Sequence, residues 1–291
     1  MTVATTAHIS ANYPSHWQNY YQENWGNESF SQEAIPFYGT GVWHKLSAEQ
    51  KAKLCQGFIQ INAEVIIHLE QGLLIASRAL KRQGHVIDEG LKTFIDDEIL
   101  HIDAFRDYLH KSTNGEWPKN SLLLYRRDFY RRFCAWLYKW EPLCVFLPGA
   151  KSEIYAVQYH VTLKAQEKEK KTRWSSLVHY HALDEAIHIT KDFELLREKL
   201  KEMNVLQRAK LYFATLLCVI MTQYSLALPS WRLMAQVFPK KSFLGRTIMT
   251  ARFAAWVLWV HPAFPATRKV FRRALKRESD SFFRHFAFLG W

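Results

Sequence analysis

From residue 47 onward, apolar side chains recur at the three- and four-residue spacing of helices that bury one face. Ser47 followed by Gln50 is a capping-box pattern, and it predicts a first long helix running to about Arg82, where Gly84 stops it. Leu91, Ile95, Ile99 and Ile102 form the apolar stripe of a second helix, predicted over about Asp88 to Lys111 and ended by Asn114 and Gly115. A third helical region begins near Ser121 and meets Pro148 and Gly149, which predict a break before a further helix from about Ala150 to Lys168. The next helix is predicted over about Thr172 to Lys201, and apolar helical segments continue beyond Asn204 to the aromatic tail FFRHFAFLGW.

Two stretches depart from this amphipathic pattern. Residues 1–46 are rich in Trp, Tyr, Asn and Ser without sustained periodicity, and read as an ordered arm that packs Trp17, Tyr20, Trp25 and Trp43 against the helices. Leu211 to Leu228 is apolar on all sides, but Thr215, Thr222, Gln223, Tyr224 and Ser225 interrupt it and Pro229 is expected to end it. We expect a helix buried in the core or in a dimer interface there rather than a membrane span.

Composition sharpens the picture modestly. With 48% apolar and 15% aromatic residues and only 11 Gly and 9 Pro in 291 residues, disorder and a loop-rich β architecture are disfavoured. No low-complexity linker divides the chain, so 1–291 is expected to be a single domain: arm (1–46), metal-binding helices (47–201) and additional helices (202–291). Cys55, Cys134, Cys144 and Cys218 lack C-x-x-C spacing and lie in apolar helical contexts, as buried thiols do; with no secretory signal visible, a reducing cytoplasm is expected. The net charge of +12 is concentrated at Arg126 to Arg132, Lys164 to Arg173 and Arg268 to Arg277, and reads mostly as solvated helix faces. No zinc-finger spacing or RNA-recognition signature accompanies these runs, so no nucleic-acid partner is expected.

The candidate chemistry is more specific. Asking which glutamates have a histidine three residues later returns two hits, DEILH at Asp97 to His101 and DEAIH at Asp184 to His188. Residues i and i+3 share a helix face, so each motif can aim a carboxylate and an imidazole at one metal ion. Ferritin-like di-iron and di-manganese bundles complete such a site with one Glu from each of two further helices. Glu153 fills one of those places. For the other, Glu64 and Glu70 compete: the Glu64 to Glu98 interval of 34 (98−64) parallels the Glu153 to Glu185 interval of 32 (185−153), whereas Glu70 gives 28 (98−70), which favours Glu64. The fold class expected is therefore all-α, a ferritin-like helical bundle with extra C-terminal helices.

His181 lies four residues before Glu185 and seven before His188, so a third imidazole joins that face. With His181, Glu185 and His188 spelling H-x-x-x-E-x-x-H, the chain resembles the p-aminobenzoate N-oxygenase family of di-iron arylamine oxygenases. The resemblance implies a ligand set of Glu64, Glu98, His101, Glu153, His181, Glu185 and His188. It also implies a dimeric enzyme that uses O₂ to oxidise an amine through hydroxylamine toward nitroso or nitro products, as in secondary-metabolite biosynthesis. Around the ligands, Asp97 and Asp184 are candidates to accept the second ring N–H of a ligating histidine, while His68 and His160 lie one and two turns from Glu64 and Glu153.

A mixed oxygen and nitrogen donor set without thiolates suits iron, or manganese, over structural zinc or an iron–sulfur cluster. The expected cofactors are thus two Fe ions, with O₂ and an external reductant from an unidentified donor. C–H hydroxylation or desaturation on the same site is the alternative, because a ligand set does not determine the substrate. A non-enzymatic ferritin-like iron handler is a further rival, which the basic charge disfavours. The basic helices also raise the idea that the amine arrives tethered to an acidic carrier protein.

Overall fold

The computed structural model describes residues 15–22, 35–84, 89–123, 128–167 and 172–288. Among these residues every regular element is helical: α1 (Ser15–Gln22), α2 (Gly41–His44), α3 (Ala48–Arg82), α4 (Glu89–Ser112), α5 (Asp128–Trp140), a 3-10 turn (Pro142–Val145), α6 (Phe146–Glu167), α7 (Arg173–Glu202), α8 (Val205–Val237), α9 (Phe243–Ala255), a π turn (Trp256–Val260), α10 (Ala263–Arg277) and α11 (Ser281–Phe288). The all-α, ferritin-like expectation is met. Trp25, Arg126, Arg127 and residues 168–171 lie outside the described residues.

Helix starts follow local chemistry. Ser47 and Gln50 exchange hydrogen bonds at the head of α3, Thr172 and Ser175 at α7, and Asn204 and Gln207 at α8, each pair satisfying two backbone N–H groups that a helix terminus leaves free.

Two predicted punctuation marks behave differently. The break falls at Pro142, which opens the 3-10 turn, while Pro148 and Gly149 lie inside the first turn of α6. A proline there loses no hydrogen bond, because the first N–H groups of a helix have no intrahelical acceptor. Pro229 likewise does not end α8, which continues to Val237 because Leu233, Met234 and Val237 bury against Leu54 and Phe58 of α3. Leu233 fills the space beside Gly57, where any Cβ would collide with it.

Helix α3 runs through the middle of the molecule, buried around its whole circumference between Phe58 and Leu74 apart from half-buried edges. It packs on α4, α5, α6 and α8, while α6 and α7 pair closely along their lengths. One apolar core joins α3, α4 and α7 with Trp17 and Tyr20 of the arm. A second joins α5, α6 and α8 to Phe271, Phe282, Phe283 and Phe286 of the C-terminal helices, and a third joins Trp43, α3, α8 and α9. All four cysteines are buried free thiols. Both α3 and α8 are long and apolar enough to cross a membrane; the most apolar window of α3 is 83% buried, that of α8 only 33%. Phe213, Ile220 and Tyr224 of α8 are exposed, so one face of this helix lies outside the chain's own core.

Candidate metal centre

Four helices converge on one buried spot between the cores. Helix α3 contributes Glu70, α4 contributes Glu98 and His101, α6 contributes Glu153, and α7 contributes His181, Glu185 and His188. All seven are at least 96% shielded from solvent. Two overlapping groups have donor atoms within 4.8 Å of one another: Glu70, His101, His181 and Glu185, and Glu98, His101, Glu185 and His188. Glu185 and His101 belong to both and Glu153 to neither; Glu185 Oε1 lies 2.7 Å from His181 Nε2 and 3.4 Å from His101 Nδ1 while its Oε2 lies 3.7 Å from His188 Nδ1.

Each histidine of the two E-x-x-H motifs is held by the aspartate of the other motif. His101 Nε2 lies 3.0 Å from Asp184 Oδ2, and His188 Nε2 lies 3.1 Å from Asp97 Oδ2. Trp17 donates from its indole N–H to the same Asp184 oxygen at 2.7 Å, so the N-terminal arm buttresses the arrangement. With Nε2–H committed to an aspartate, the Nδ1 lone pair of each ring is left facing the cluster. His101 Nδ1 makes no hydrogen bond, nor do Glu70 Oε2, Glu98 Oε2, both oxygens of Glu153, or Glu185 Oε2, while His188 Nδ1 has only the Glu98 Oε1 oxygen beside it, at 3.2 Å. So many buried polar atoms without partners suit a cation, which would offset the desolvation that each otherwise costs. The donor set fits one.

The electrostatics are those of a crowded, dry acidic site. Burial pushes the carboxyls of Glu70, Glu98 and Glu153 up, and repulsion from neighbouring carboxylates, Glu185 among them in each case, adds to it. Burial also acts on Glu185, but His181, His101 and His188 around it win and hold its carboxyl well below the usual range. Burial alone would lower His101 and His181, yet Asp184 and Glu185 raise His101 to about 9, and Glu185 and Glu70 raise His181 to about 8.

Glu64, favoured over Glu70 by sequence intervals, is not in the cluster. Six residues on a helix turn the side chain so that Glu64 and Glu70 leave α3 about 120° apart. Glu64 instead accepts from Gln60 Nε2 and Trp117 Nε1, each at 3.0 Å, and from the backbone N–H groups of Leu122 at 3.3 Å and Leu123 at 2.7 Å. It anchors the loop between α4 and α5. His68 and His160 also stay away from the cluster: His68 Nε2 pairs with the Tyr130 hydroxyl at 3.2 Å, and His160 Nε2 with His179 Nδ1 at 3.3 Å. Burial lowers His68 to about 4, so its ring is neutral.

The sequence reading also missed Asp192, which continues the face of His181, Glu185 and His188 at the same four- and three-residue spacing. It is 1% exposed and shares its surroundings with Glu153, Glu98 and His188. Extending the helical face one turn beyond His188 would have found it.

Ile66, Leu69, Leu73, Gly149 and Ser152 close over the centre, leaving a cavity of about 10 Å³ against Glu70, Glu98, Glu153, His181 and Glu185. The larger cleft of about 1010 Å³, lined by His68, Trp117 and Tyr138, touches none of the clustered residues.

The model of the p-aminobenzoate N-oxygenase AurF family matches residues 10–257. The chain belongs to that family. It is accordingly an oxygenase, and the matched region contains all the clustered side chains. No curated protein and no solved structure matches the chain.

Proposed function

We propose that this oxygenase is a di-iron N-oxygenase, which uses O₂ and an external reductant to oxidise a primary amine. The observation that carries the reading is the pair of imidazoles fixed by aspartates, His101 by Asp184 and His188 by Asp97, with their free nitrogens facing unpartnered carboxylates. That arrangement is what a buried pair of metal ions needs: neutral, oriented imidazoles and hydrogen-bond-free oxygens. Oxygen and imidazole nitrogen without thiolate suits iron or manganese. In this reading Glu70, His101 and His181 would hold one ion and Glu98, Glu153 and His188 the other, with Glu185, which is close to both sets of imidazoles, available to either. Two ferrous ions would supply the electrons that activate O₂ for oxidation of the amine nitrogen.

The chain's own contribution is position and dryness. Ile66, Leu69 and Leu73 keep bulk water off the carboxylates, and a cavity of about 10 Å³ admits little more than one small molecule. An amine larger than that enters only when these side chains move aside. The partners in this proposal are the amine, an electron donor and a second copy of the chain seated on the exposed Phe213, Ile220 and Tyr224 of α8.

Metal analysis of the purified protein, followed by ¹⁸O₂ turnover of an amine panel with mass spectrometry, tests the reading. Two irons per chain and a product carrying ¹⁸O on nitrogen are expected, with both reduced in His181→Ala. Iron-free protein overturns the metal assignment. A product short of two hydrogens instead assigns desaturation to the same site.

A further inference from the structure

Asp192 is a buried carboxyl at the centre that the ligand pattern does not use. It sits on α7 one turn beyond His188, and its Oδ2 lies 3.1 Å from the point a Cβ on Gly149 would occupy. Gly149 and Glu153 are one turn apart on α6, so they share a face, and Asp192 is directed at that face. Burial, and with it the nearby Asp192 carboxyl, pushes the Glu153 carboxyl up. Asp192 Oδ2 and both Glu153 oxygens have no hydrogen-bond donor. Glycine at 149 is what makes the approach possible, because a side chain there would press on both Asp192 and Leu73.

We propose that Asp192 is a positioning residue for the metal centre, holding the Glu153 carboxylate through a carboxyl–carboxylate hydrogen bond while Glu153 binds its ion. The inference rests on the two-metal reading above. Charge accounting decides between this role and that of another ionised ligand. Two divalent ions bring four positive charges, which Glu70, Glu98, Glu153 and Glu185 already balance when ionised, and Asp97 and Asp184 add further acid beside the imidazoles. A further buried carboxylate would stand uncompensated, which is costly, whereas a carboxyl that keeps its proton has a donor to offer the free oxygen of Glu153. Such a contact selects one carboxylate orientation, as Asp97 and Asp184 select one ring orientation on the imidazoles.

The experiment compares wild type with Asp192→Ala, Asp192→Asn and Gly149→Ala by ferrous titration and by Mössbauer spectroscopy of the ⁵⁷Fe-loaded proteins, with metal-free melting temperature as the control for folding. Asp192→Ala is expected to weaken one of the two ions by about tenfold to a hundredfold and to shift only that ion's signal. Asp192→Asn, whose amide keeps a donor of the same shape, is expected to stay within about threefold of wild type. Gly149→Ala leaves the Asp192 side chain chemically intact but displaces it, and is expected to move the same signal by a smaller amount; it serves if Asp192→Ala does not fold. An Asn variant as impaired as the Ala variant would show that Asp192 acts as an ionised ligand and overturn the proposal. So would unchanged titrations and spectra in all three variants. Failure of the wild type itself to bind two metals is the separate outcome that defeats the underlying reading.

Discussion

Glu64 and Glu70 lie on one helix, six residues apart, and both are almost wholly buried. Around Glu64 the protein has gathered four N–H donors, from Gln60, Trp117, Leu122 and Leu123. Around Glu70 it has gathered imidazole and more carboxylate: His181 Nε2 at 2.8 Å, His101 Nδ1 at 3.7 Å, and an Oε2 left with no partner at all. A buried acid therefore has two ways to be accommodated. One is complete within the chain and fastens a loop. The other leaves lone pairs that a cation could take up, so the state of the lone pairs, and not burial, separates the two acids.

The largest test of this contrast exchanges the two losses. Glu70→Ala is expected to cut bound iron below two per chain and to lower turnover by about a hundredfold or more, with a smaller loss of metal-free stability than Glu64→Ala, since Glu70 has one close imidazole contact where Glu64 holds four N–H donors. Glu64→Ala is expected to do the reverse: it strands the N–H donors and costs about 3 kcal/mol of stability in chemical denaturation, while the folded protein still binds two irons. Iron loss from the Glu64 variant with Glu70→Ala unaffected would reverse the assignment.

A smaller effect should come from the residues that orient the imidazoles. Asp184→Ala frees His101 Nε2 and the Trp17 indole together, and is expected to weaken metal binding by about tenfold to a hundredfold in titration. Unchanged affinity would mean that the ring is held well enough by packing alone.

The gentlest probe is pH. In the metal-free protein His101 and His181 are raised to about 9 and about 8, above the ordinary 6.5, chiefly because neighbouring carboxylates outweigh burial. Their contribution to metal-free stability is therefore fully present below pH 6.5 and is lost as pH rises through 8 to 9. Metal binding runs the other way, because it must displace those protons: affinity should rise with pH over the same window, by about tenfold per unit for each proton displaced. Melting curves with and without metal across pH 6 to 9 should diverge. Parallel curves would argue that the imidazoles bind no metal.

Much of this centre was legible in the sequence. The two D-E-x-x-H motifs and His181 carry their geometry with them, because three- and four-residue spacings on a continuous helix place side chains on one face wherever that helix goes. The aspartates of the two motifs were recognisable as candidate histidine partners, but which histidine each would serve was not. The caps at Ser47, Thr172 and Asn204 are equally local and sit where the residues direct.

What only the tertiary structure decided are the relations between helices. No spacing says how far α3 slides or rotates against α4, so matched intervals chose Glu64 where packing chose Glu70. The crossing of the aspartates, each serving the histidine of the other helix, depends on α4 lying beside α7. Pro229 and Pro148 looked like breaks by local rule and were absorbed, one by packing of Leu233, Met234 and Val237 on α3, the other by its place in a first turn. Sequence fixes what shares a face within a helix because the backbone geometry is rigid over a few residues; which faces meet is settled by packing, through the shapes of side chains far apart in the chain.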